Sequence, residues 1–131
     1  MEKGHNFLTG GQVLIDSLVI NDANMAFCVP GESYLSALNA LYNVPSIQLI
    51  TCRHEGGAAM MAEAFGKLTG KPGLCFVTRG PGATNASSGV HVAFQDSTPF
   101  ILFVGQVSRT MRDREAFQEI DYAHYFGKVA K

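Results

Sequence analysis

Apolar residues along this chain gather in four short runs separated by longer mixed stretches. The runs are residues 25–29 (MAFCV), 47–51 (IQLIT), 74–78 (LCFVT) and 100–104 (FILFV), and they begin 22, 27 and 26 residues apart. They are near-continuously apolar rather than alternating. That is the pattern of strands buried on both faces of a parallel sheet. The spacing leaves room for one crossover helix between successive strands. The intervening stretches carry the helical period. Residues 33–42 put Leu35, Leu38 and Leu41 on one side, with Ser33 as N-cap and Asn43-Val44-Pro45 as the stop. Residues 54–68 stripe Ala58, Met61/Ala62, Phe65 and Leu68, and Gly70-Lys71-Pro72-Gly73 ends them. Residues 83–95 turn Ala86, Val90, Ala93 and Phe94 inward. Ahead of the first run, residues 9–20 predict an amphipathic helix through Val13, Leu14, Leu18 and Val19. After the last run come a charged loop over 109–115, a short helix over 116–125 and the start of a strand in 126–131. This alternation predicts a doubly wound α/β fold, a mainly parallel sheet with helices on both faces, in a single domain over residues 1–131.

Composition narrows the class. With 131 residues and 47% hydrophobic content the chain can bury a real core, and low-complexity disorder is excluded. No apolar run approaches the ~20 residues of a membrane-spanning helix. Lys+Arg number 10 against 11 Asp+Glu, so there is no basic excess to hold a nucleic acid. The opening Met1-Glu2-Lys3-Gly4-His5-Asn6 lacks the charged-then-apolar order of a secretory signal, and a cytoplasmic location is expected. Cys28, Cys52 and Cys75 each lie in an apolar run without a CxxC, as small buried hydrophobes in a reducing compartment do. His5, His54, His91 and His124 are scattered, so no metal site is expected.

In an open parallel sheet, ligands bind outside the carboxyl ends of the strands. Those ends are followed here by Pro30-Gly31-Glu32-Ser33, by Cys52-Arg53-His54-Glu55-Gly56-Gly57, by Arg79-Gly80-Pro81-Gly82-Ala83-Thr84-Asn85 and by Gly105-Gln106-Val107. Gly80-Pro81-Gly82 misses the dinucleotide fingerprint, because Asn85 replaces the last glycine and no acidic residue follows at ribose distance. There is no P-loop. Gly31-Glu32-Ser33 lacks the second glycine of a nucleophile elbow, which leaves Ser33 as a helix cap. Glu55 stands out among the titratable groups. It follows a buried strand and precedes Gly56-Gly57-Ala58-Ala59, so small neighbours leave room for a ligand. Burial there would favour a proton-sharing role; a glutamate in a first helical turn also simply complements the helix dipole.

Five segments in one order along the chain carry a resemblance. Arg53-His54-Glu55-Gly56-Gly57-Ala58-Ala59 and the run through Phe65 resemble the RHE-x-x-A segment of thiamine-diphosphate-dependent enzymes. Thr78-Arg79-Gly80-Pro81-Gly82-Ala83-Thr84-Asn85 resembles their GPG-x-x-N loop, and Phe27-Cys28-Val29-Pro30-Gly31 their first strand and turn. Asp96-Ser97-Thr98-Pro99 and Ala116-Phe117-Gln118-Glu119 are similar to acetolactate synthase-like members. The resemblance implies an N-terminal aminopyrimidine-binding (PYR) domain of an enzyme acting on 2-oxo acids, a carboligase or decarboxylase. It implies that Glu55 hydrogen-bonds N1′ of the cofactor and favours the 4′-imino form that removes the C2 proton. It places Pro30 and Gly31 along the pyrimidine edge, Thr78, Gly82 and Asn85 on the loop facing cofactor and substrate, and Gln118 near the reacting centre.

Three departures qualify what the family implies. Glu32 stands where the synthases carry a small residue, and a carboxylate at that mouth is expected to alter substrate preference or repel 2-oxo acids. Thr98 replaces a small aliphatic residue. No GDG occurs, so Mg²⁺ and the diphosphate are expected on a diphosphate-binding domain that pairs with this one, as a homodimer or across chains, with FAD possible only in a longer enzyme. By the family pattern a further helix and strand are expected past Lys131, and the chain is not expected to turn over substrate alone. The competing expectation is a non-catalytic PYR-like module that associates with full-length relatives.

Overall fold

The computed structural model describes residues 7–131. The expectations for Met1–Asn6, including His5 and the absent signal, lie outside the described residues. The elements are α1 (Gly10–Ile20), β1 (Met25–Cys28), α2 (Leu35–Tyr42), β2 (Gln48–Thr51), α3 (Glu55–Thr69), β3 (Gly73–Thr78), α4 (Arg79–Asp96), β4 (Phe100–Gly105) and α5 (Tyr122–Phe126). The four strands form one sheet in the order β2-β1-β3-β4. Every pairing is parallel, with Phe27 opposite both Ile50 and Cys75, and Cys75 opposite Leu102. The expected doubly wound α/β fold is therefore present.

Strand residues divide between two faces with a period of two. Ala26, Cys28, Leu74 and Phe76 pack under α1 and α2, together with Ile15, Leu18, Ala37 and Leu41. Phe27, Cys75 and Val77 pack under α3 and α4 with Ala58, Ala59, Ala62 and Ala86. The central strand β3 is buried along almost its whole length, whereas the edge strands β2 and β4 are half-exposed. Small residues let α3 lie close to its neighbours. A side chain on Gly73 would collide with the Ala62 carbonyl, and a Cβ on Gly89 would stand 2.5 Å from that of Ala59.

Local chemistry sets most helix ends. Thr9 and Gln12 form a reciprocal capping box on α1, with N–H to side-chain oxygen distances of 3.2 and 2.7 Å. His54 caps α3 through Nδ1, which accepts from the Gly56 N–H at 3.0 Å. Gly70 ends the same helix in the left-handed region, φ 70°.

Several expectations need correction. Ser33 caps no helix: residues 32–34 form a 3-10 turn, α2 begins after it, and the Ser33 hydroxyl is bound to Thr78 instead. In α1, Val13 and Val19 are exposed, and Gly11, Ile15 and Leu18 face the core. Leu68 and Phe94 are also exposed. The fourth helix starts at Arg79, so the Gly80-Pro81-Gly82 segment is its first turn rather than a loop before it. After β4 the chain makes a 3-10 turn at Arg109–Met111, and the only α-helix among the described residues of the tail is α5, capped by Asp121. No strand follows it: Val129 and Ala130 donate back to the Phe126 carbonyl at 2.8 and 2.9 Å, and Val129 joins a cluster with Val90 and Phe126.

Candidate functional site

Strand order reverses between β1 and β3, which makes their carboxyl ends the topological switch point of this sheet. The two ends are in close contact. A Cβ on Gly31 would overlap the Thr78 side chain. Ser33 Oγ and Thr78 Oγ1 share a hydrogen bond of 2.7 Å. A side chain on Gly105, at the end of β4, would strike Ser33. Gly31 and Gly105 are thus required by close approach. Thr78 spends its hydroxyl here, holding the two turns together.

Glu55 lies at the first position of α3, half-buried, in the turn after β2. Its Oε2 accepts a 2.9 Å hydrogen bond from Asn85 Nδ2 on α4. Gly56 cannot carry a side chain without crowding the Asn85 carbonyl at 3.1 Å, while Gly57 faces open space. Burial pushes the Tyr34 hydroxyl well above the ordinary tyrosine range, and the Cys28, Cys75 and Glu55 charges add to the shift. The Cys75 thiol is pushed up to about 12, first by burial and then by its Cys52, Cys28 and Glu55 neighbours.

A second group sits beside the switch point. Arg79 opens α4 with φ 42°, an uncommon conformation for a residue with a side chain. Its Nη1 donates to Glu32 Oε1 at 3.0 Å, and its guanidinium lies 5.9 Å from the centre of the Phe117 ring. The Gly80 N–H donates to the Gln118 carbonyl at 2.8 Å. Gln118, Asp113 and Glu115 all take positive φ (66°, 61° and 54°), so residues 113–118 form a tightly bent loop. Glu119 holds it by accepting from the Asp113 and Ala116 N–H groups at 2.9 and 3.2 Å, which keeps its carboxyl below the ordinary range.

The residues picked out by sequence thus fall into two clusters. Gly31 and Thr78 meet at the switch point with exposed Pro30 after β1 and the Gln118 carbonyl beside it on Gly80, and Glu55 pairs with Asn85 across α3 and α4. Gly82 is buried, and a Cβ there would stand 3.1 Å from that of Val77. Glu32 is ion-paired to Arg79 through Oε1 at 3.0 Å, and its side chain stays largely exposed. Arg79, Ser33 and Phe117 were not selected from the sequence. The readable signal for the first was an acid and a base just past two strands that prove to be neighbours. Among the described residues, no group of three or more His, Cys, Asp or Glu is placed to hold a metal ion, and no helix is long and apolar enough to cross a membrane.

Residues 8–125 match the family model described as "Thiamine pyrophosphate enzyme, N-terminal TPP binding domain". The chain belongs to that family. It is 41% identical over 123 residues to the acetolactate synthase large subunit of Lactococcus lactis, covering 94% of this chain and 21% of that protein. It is 38% identical over 124 residues to the acetolactate synthase isozyme 3 large subunit of Escherichia coli, covering 95% and 22%. The mitochondrial acetolactate synthase catalytic subunit of Aspergillus candidus is 41% identical over 113 residues, 86% of this chain and 16% of that protein. The chain is therefore a thiamine-pyrophosphate-enzyme N-terminal domain homologous to acetolactate synthases, and it spans about a fifth of the length of these relatives.

Proposed function

We propose that this chain supplies the aminopyrimidine side of a thiamine-diphosphate site in an acetolactate synthase-like carboligase or decarboxylase of 2-oxo acids. The observation that carries the reading is the state of Glu55. It stands at a strand end, at the first position of a helix, with one carboxylate oxygen held by Asn85 and Gly57 open to space beside it. Those features fit a planar ring that must reach one carboxylate oxygen.

Bound thiamine diphosphate supplies carbanion chemistry at its thiazolium carbon. The protein's share is to bind and orient. Glu55 holds the proton at N1′ of the aminopyrimidine through its Oε1. Pro30 and Gly31 border the ring, and Gln118 borders the reacting centre. Mg²⁺ and the diphosphate are assigned to a diphosphate-binding domain, in a partner copy or another chain. FAD is assigned to a further domain of a longer enzyme.

The test is hydrogen–deuterium exchange at the cofactor's C2 in the chain assembled with a diphosphate-binding domain. Glu55→Gln should slow exchange by about 10²-fold or more, the usual range for a proton-transfer group. Unchanged exchange would overturn the assignment. By itself the chain should bind thiamine diphosphate weakly, and micromolar binding in calorimetry would contradict the shared site.

A further inference from the structure

We infer that Asn85 is a positioning residue for Glu55, and that Gly89 sets the helix spacing through which it acts. This rests on the reading of Glu55 as the group that meets the aminopyrimidine. Asn85 and Gly89 are one turn apart on α4, and Glu55 and Ala59 are one turn apart on α3. The two pairs face each other. Asn85 Nδ2 reaches Glu55 Oε2 at 2.9 Å. A Cβ on Gly89 would stand 2.5 Å from the Ala59 Cβ and 2.8 Å from its carbonyl carbon. Gly89 and Ala59 are both buried, so this is where the helices touch.

The chemistry of the contact is one-way. A carboxylate only accepts, so the Asn85 amide must turn its NH₂ toward Glu55. That bond uses Oε2 and leaves Oε1 to the ligand. A half-exposed glutamate without such a partner would sample several rotamers; this one is held in one. Asn85 therefore acts through Glu55.

The spacing leaves little tolerance. Ordinary carbon–carbon contact is about 3.5–4 Å, so a methyl at position 89 must push the helices apart by about 1 Å. A 2.9 Å hydrogen bond lengthened by that amount passes the limit at which it counts as one. Gly89 is thus a remote determinant of the Glu55 orientation.

The experiment is side-chain amide NMR on the 131-residue chain, without cofactor. The Asn85 NH₂ protons should resonate downfield and well separated, and should collapse toward free-amide positions in Glu55→Ala and in Gly89→Ala. The Glu55 carboxyl carbon should shift in Asn85→Leu, which replaces an exposed side chain and leaves the core untouched. An Asn85 resonance indifferent to Glu55→Ala, or a Glu55 carbon indifferent to Asn85→Leu, overturns the positioning role. An amide signature that survives Gly89→Ala overturns the spacing argument. In the assembled enzyme Asn85→Leu should slow C2 exchange by about 10²-fold, as expected for a misplaced catalytic group; unchanged exchange there overturns the role. If Glu55→Gln leaves exchange unchanged while the amide signature persists, the proposed function fails and the Asn85–Glu55 contact stands.

Discussion

Phe76 is 1% exposed, stacks on Phe103 with ring centres 4.4 Å apart, and faces Tyr34 at 6.0 Å. Phe76 thus ties the central strand to the edge strand β4 and to the 3-10 turn. Phe76→Ala should destabilise the chain by about 3–5 kcal/mol, read from urea denaturation. A change under 1 kcal/mol would mean the cavity collapses, against the close packing described above. The thiols offer a second check. Cys28 and Cys75 are buried, and burial raises both, whereas Cys52 is only half-buried. A disulfide-exchange reagent should modify Cys52 quickly in the native chain and the other two only at the rate of unfolding. At this scale Glu55 and Gly31 were legible, because a strand end followed by glycines has a physical meaning within one segment. Arg79, Ser33 and Phe117 were not, because their partners lie on other segments, from position 33 to position 117.

Elements were legible where periodicity was strong, and their boundaries were not. Several faces of α1 are apolar, and packing against α2 and the sheet selects Gly11, Ile15 and Leu18 as the buried one. Gly80-Pro81-Gly82 reads as a loop in the sequence, yet α4 starts at Arg79. Proline is tolerated in a first helical turn, where its missing N–H has no intrahelical partner. The 113–118 loop depends on three left-handed residues that no local pattern announced. Its tie to α4 gives a prediction. Arg79→Met removes both the Glu32 ion pair and the cation over Phe117, so trypsin should cut at Arg112 and Arg114 faster than in the unaltered chain. Equal cleavage rates would show that the loop holds itself.

Helix α5 has a pH signature of its own. Asp121 caps it by accepting from the His124 N–H at 3.0 Å, and its Oδ2 lies 2.6 Å from His124 Nδ1. The pair lowers Asp121 below 3.8 and raises His124 above 6.5. The Asp121 contribution is present above 3.8 and lost as pH falls through its lowered value. The His124 contribution is present below 6.5 and lost as pH rises through its raised value. Amide protection in α5, measured by hydrogen exchange corrected for intrinsic rates, should therefore peak between these two limits. A flat profile would assign the stability of α5 to Phe126 packing alone.

For the molecule as a whole, the parallel sheet and its helices on both faces followed from four apolar runs with helix-length spacing. Strand order did not, since β1 lies between β2 and β3 only because the chain crosses over twice. The all-parallel pairing has a kinetic consequence. Each strand meets its partner only after an intervening segment has closed, so no hairpin can form early and wait. The switch point joins positions 31, 33, 78 and 105, and the Glu55–Asn85 contact joins a second pair of distant segments. Local helices such as α1 and α3 can flicker into existence in microseconds, yet a ligand-ready cluster exists only once the last crossover has docked. A cofactor or partner that recognises this cluster would therefore act as a late checkpoint, selecting chains that have finished folding from those that merely have their helices.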